Sequence, residues 1–154
     1  MDTETLHFKI GLSGTSAKHP EFMIKINDTE YVHSTLTTDP MIVEYFEFNA
    51  EVKEGEHSLS IILLNKESAD TMKDNDGNIV GDLLLNIDSI EIDDIPMGKL
   101  LWTASRYFPN YPESYLDSEQ KSIKEVKNCV NLGWNGIWQL PFTSPFYVWL
   151  LENL

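Results

Sequence analysis

The feature that most constrains this chain is an alternation of apolar and polar residues with a period of two, repeated in one segment after another. In "LHFKIGL", Leu6, Phe8, Ile10 and Leu12 share one face while His7, Lys9 and Gly11 take the other. "FMIKI" sets Phe22, Ile24 and Ile26 together, and "IVEYFEFNAEV" alternates Phe46, Phe48, Ala50 and Val52 with Glu47, Asn49 and Glu51. "HSLSIILL" turns Leu59, Ile61 and Leu63 inward, and "NIDSIEIDDI" does the same with Ile90 and Ile92. Successive side chains of a strand point to opposite faces, so each segment reads as a half-buried strand. Polar clusters such as "SGTSAKHP", "NDTE", "TTDP" and "KEGEH" supply turns between them. This pattern predicts an all-β fold, an antiparallel β-sandwich of jelly-roll-like plan. The 154 residues suffice for one domain with its own core. Residues 1–97 would form the sandwich body and 98–154 an aromatic loop, a hairpin and a closing strand.

The later segments are less regular. "ASRYFPNYPESYLDSEQKSIKEVK" reads as a long loop, and its Tyr107, Tyr111 and Tyr115 are candidates for stacking on sugar rings. Asn135-Gly136 is a strong hairpin signal, because a type I′ turn needs positive φ at both central residues. With such a turn, Leu132, Trp134 and Ile137 share one face, and Trp138 and Leu140 share the other. "SPFYVWLLENL" reads as a strand with Phe146, Val148 and Leu150 opposite Tyr147, Trp149 and Leu151. With both faces apolar, it belongs in the middle of a sheet or at a subunit contact. Trp138, Tyr147, Trp149 and Leu151 are therefore the candidate partner contacts.

Charge narrows the functions. The net charge is −14, and residues 1–100 carry 20 acids against 7 Lys/Arg. Such a surface repels phosphate backbones and anionic lipid, so neither nucleic acid nor membrane is an expected partner. Cations, neutral sugars and other proteins remain. Cys129 stands alone and cannot close a disulfide within the chain. "MDTETLHFKI" lacks a basic region before an apolar run, so no signal peptide is expected.

No arrangement for catalysis stands out. There is no G-x-S-x-G elbow, no phosphate-binding glycine loop, and His7, His19, His33 and His57 are scattered singly. The chain is therefore not expected to be an enzyme. The acidic stretch "DNDGNIVGD" offers Asp74, Asp76 and Asp82 as hard oxygen donors for Ca²⁺. Aligning Gly77 with the glycine of the helix-loop-helix calcium motif leaves Met72 and Leu83 at ligand positions, so that motif is absent. A polar hairpin turn at Asp76-Gly77 explains the same residues.

Two resemblances add to this. "GTSAKHPEFMIKIND" (Gly14 to Asp28) and "LLNKESADTMKDNDGNIVGDLLLNIDSIEI" resemble calcium-dependent xylan-binding modules, with Asn65, the Gly81-Asp82 pair and Asp88-Ser89-Ile90 matching their signature. That resemblance implies a β-sandwich whose loops hold Ca²⁺ against sugar hydroxyls, with Asp82 and the Asn65 loop as the first candidates for ligands. Lys66 stands where those modules carry an Asp, and Leu83 to Leu85 replace polar residues. A lysine there weakens binding of a cation by repulsion. "GWNGIWQLPFTSPFYVWLLENL", with the preceding strand and "KLLW", resembles small virion-associated proteins of tailed marine cyanophages. That likeness implies an accessory or structural protein of a virion, assembled in the host cytoplasm and acting through other virion proteins or self-association. The alternative is a calcium-dependent module that binds a cell-surface glycan.

Overall fold

The computed structural model describes residues 2–16, 18–111 and 125–154. Among these, two antiparallel sheets face each other, as the alternation predicts. The first contains β1 (Thr3–Gly14), β4 (Glu44–Lys53), β8 (Leu85–Ile92), β9 (Ile95–Pro96) and β12 (Asn131–Leu132), in the order β12-β8-β1-β4 with β9 beside β8. The second contains β2 (Glu21–Ile26), β3 (Thr29–Thr35), β5 (Gly55–Leu63), β10 (Arg106–Pro109), β11 (Val126–Lys127) and β13 (Gly136–Ser144), in the order β11-β10-β13-β5-β2-β3. A small hairpin of β6 (Met72–Lys73) and β7 (Ile79–Gly81) projects from the loop before β8.

The core lies where the sequence periodicity placed it. Leu6, Phe8, Ile10 and Leu12 are fully buried, as are Phe22, Ile24, Leu59, Ile61 and Leu63. The layers touch through aromatic pairs: Phe8 meets Phe142 at 6.1 Å between ring centres, and Phe22 meets Phe46 edge-on at 4.9 Å. Each such side chain contributes about 1.5–3 kcal/mol when taken from water. A 3-10 turn at Ser68–Asp70 and two short α-helices, α1 (Leu100–Thr103) and α2 (Phe146–Asn153), complete the described chain. Neither helix is long and apolar enough to cross a membrane.

Two local expectations are corrected. "SPFYVWLLENL" is helix α2, not a strand. Phe146, Trp149 and Leu150 are buried, at the i, i+3, i+4 spacing of one helical face. Phe146 and Trp149 pack edge-on against Phe142 at 6.4 and 6.5 Å. A run this uniformly apolar satisfies a helical period as well as a period of two, so alternation alone could not decide it. Asn135-Gly136 is likewise not a hairpin turn. Leu132 pairs with Leu85 in the first sheet, whereas β13 runs between β10 and β5 in the second. The segment between them crosses from one layer to the other. Only Gly136 has positive φ, at 156°, and Asn135 is held instead by tertiary bonds described below. The loop before it contributes β10 and β11 to the second sheet, so residues 98–154 are woven into both layers.

Candidate functional site

One end of the sandwich collects the loops that follow β1, β5 and β10 and that precede β8 and β13. Lys66 lies at their centre. Its side chain is 1% exposed. The Nζ donates to Asp82 Oδ1 and, at 3.0 Å, to the Leu83 carbonyl. It also lies 5.8 Å from the centre of the Trp134 ring, within cation–π range. The Lys66 backbone is clamped by Asn135, whose Oδ1 accepts from the Lys66 N–H at 2.7 Å and whose Nδ2 donates to the Lys66 carbonyl at 3.0 Å. Asp82 is equally engaged: Oδ1 also accepts from Thr71 Oγ1 at 2.8 Å and from the Leu83 N–H at 2.9 Å. Thr15 ties in the loop after β1 by donating to the Asp82 carbonyl at 2.7 Å and accepting from the Leu84 N–H at 3.0 Å.

Beside this pair, Lys18 donates to Asp70 Oδ2 at 2.9 Å. Burial pushes the Asp70 carboxyl up, but the Lys18 ammonium, the Glu67 N–H and the charge of Lys66 together hold it below its ordinary value. Asn65 also works inside the fold. Its Oδ1 accepts from the Glu21 N–H at 2.8 Å and its Nδ2 donates to the His19 carbonyl at 3.0 Å.

The expected metal ligands are therefore not brought together as a cage. Asp74 caps the turn of the β6–β7 hairpin, with Oδ1 accepting from the N–H groups of Asp76 and Asn78, each at 2.9 Å. These bonds hold its carboxyl below the ordinary range. Asp76 is exposed in the same turn, which Gly77 closes at φ 83°. Among the described residues, no group of three or more His, Cys, Asp or Glu is placed to hold a metal ion. The described residues do not fit a calcium ion. Asn65 Oδ1, Asp74 Oδ1 and Asp82 Oδ1 already accept hydrogen bonds within the fold, Asp76 stands apart in the β6–β7 turn, and a buried ammonium sits against Asp82. Unit charges about 4 Å apart repel by about 4 kcal/mol at an effective dielectric of about 20, and a divalent ion doubles that.

Next to the Lys66 cluster is a shallow cavity of about 400 Å³, lined by Ile62, Leu64, Phe108, Asn110, Asn135 and Ile137 among others. Phe108 pairs across the strands with Ile137, and Ile137 with Ile62, so the three form a row over the outer face of the second sheet. Phe108 and Ile137 are each 38% exposed. The Asn110 N–H donates to the Asn135 carbonyl at 2.7 Å, fixing the rim beside Lys66.

The three tyrosines part company. Tyr107 is buried, on the inward side of β10 opposite Trp138. Its hydroxyl donates to the Trp134 carbonyl and accepts from the Trp134 N–H at 3.1 Å. Tyr111, directly after Asn110 in the chain, is 38% exposed, with partial burial pushing its phenol up. Tyr115 lies outside the described residues. Of the expected partner contacts, Trp138 is fully buried with Nε1 donating to the Cys129 carbonyl at 2.9 Å, and Trp149 is buried against Phe142. Tyr147 and Leu151 are exposed on α2 together with Val148, and Leu154 is exposed just beyond its end. Sequence reasoning placed Phe108 in a long loop and Ile137 on a hairpin, so the outward row they share was not foreseen. It also took Asn135 for a turn residue.

No protein-family model and no curated protein matches the chain. A solved structure does: vCBM60, described with calcium-dependent carbohydrate binding modules, matches with a TM-score of 0.55 at 12% identity. The match spans 88% of this chain and 89% of that one. The two share a β-sandwich fold.

Proposed function

We propose that this protein is a non-catalytic binding module that recognises a neutral carbohydrate at the Phe108–Ile137 cavity. The observation that carries the reading is the outward apolar row Ile62–Ile137–Phe108, exposed at Ile137 and Phe108, beside Asn110, on a sandwich whose structural relative is a carbohydrate-binding module. An apolar row with amides at its edge suits a sugar, whose ring faces carry C–H groups and whose rim carries hydroxyls. The net charge of −14 disfavours acidic glycans. Affinity electrophoresis through neutral soluble polysaccharides tests the reading. Retardation of the wild type, reduced about tenfold or more in affinity by Phe108→Ala, supports it. Free migration through every such gel removes it.

A second reading is favoured by α2. Tyr147, Val148 and Leu151 expose an apolar helix face of the kind that docks on another protein. An accessory role in a virus particle, through other particle proteins or a second copy, would use that face. Gel filtration decides between copies and monomer: self-association lost in Leu151→Asp favours it, and a monomer absent from purified particles removes it.

A further inference from the structure

We infer that the Lys66 ammonium is itself the cation of this loop end, carried by the chain, and that it joins the loops without calcium. Calcium takes six to eight oxygens in a flexible shell. Here the oxygens converge on an ammonium, which offers three donors and needs far fewer acceptors. Two are met by Asp82 Oδ1 and the Leu83 carbonyl, and the Trp134 ring covers a further side. The bonds join segments distant in sequence: the loop after β5, the approach to β8 and, through Asn135, the approach to β13. Asp82 Oδ1 and Asn65 Oδ1, which a bound ion would need, accept from Lys66, Thr71 and Leu83 and from Glu21 instead. The side chain of Lys66 is buried and its charge is answered by a carboxylate, so an incoming divalent ion would have to expel it from that pairing.

The inference concerns how the loops are held and does not depend on a glycan being the ligand. Thermal melting with excess calcium and with EDTA tests it. The wild type is expected to melt within about 1 °C in both, whereas a native-state ion site at about a hundredfold excess over Kd would raise the transition by about 5–10 °C. Lys66→Met, which keeps the length and removes the charge, is expected to lower the transition by about 5 °C or more. A wild-type transition that rises saturably with calcium overturns the inference, as does a Lys66→Met variant as stable as the wild type. Should that variant fail to fold, the wild-type titration still decides. Polysaccharide gels run with EDTA separate this from the reading above. Glycan retention that requires calcium removes the inference and keeps the glycan, while calcium-indifferent melting with no glycan retained does the reverse.

Discussion

Tyr107 shows how a single hydroxyl fixes a segment that local sequence left open. Burial pushes its phenol well up, against the opposing pull of the Trp134 backbone, so the group remains a neutral donor and acceptor. It binds both the N–H and the carbonyl of Trp134, two backbone groups in a crossing strand-free stretch. Tyr107→Phe is expected to cost about 1–3 kcal/mol, because it leaves those buried groups unmet. Urea denaturation reads this as a lower midpoint with an unchanged slope. At this scale the sequence was only partly legible. Asn65 and Asp82 stood out through the likeness to calcium-dependent modules, but nothing in one dimension says whether such groups face a ligand or each other. Lys66 was visible as a cation beside them; that it is buried depends on Trp134 and Asn135, which are far along the chain.

Elements were legible where their two faces differ. β1, β2, β4 and β5 alternate between core and solvent, and they formed as the periodicity required. β13 alternates as well, with Trp138, Leu140 and Phe142 inward against Gln139, Pro141 and Thr143, whereas α2 comes from a stretch rich in apolar residues on every side, where period carries less information and packing decides. Gly136, at the start of β13, is the element's tightest point. A Cβ there would meet the Phe108 carbonyl oxygen and lie 2.7 Å from Pro109 Cα, and its φ is 156°. Gly136→Ala is expected to cost about 1–3 kcal/mol or more and to loosen the pairing of β10 with β13. Faster amide exchange at Phe108 and Ile137 than at Leu59 and Ile61 would register that loosening. Equal protection throughout would show that the strand absorbs the methyl without parting from its neighbour.

For the whole molecule, the layered architecture was legible and the way its last third threads through both layers was not. Alternation gives the faces of a sheet, but strand order depends on which edges meet, and that is settled by contacts such as the Asn135 clamp. Charge also acts at this scale. Two copies each carrying −14 repel at long range. Association through the apolar face of α2, where it occurs, is therefore expected to strengthen as salt rises from about 0.01 M to about 1 M. Gel filtration across that range checks this, and an oligomer that dissociates with salt would point to paired charges instead. The central place of β13 reaches back to synthesis on the ribosome. Leu59 waits for Leu140 as its cross-strand neighbour, so β5 emerges long before the partner that covers its edge, and a chain halted before β13 leaves a sticky seam open for chaperones or proteases.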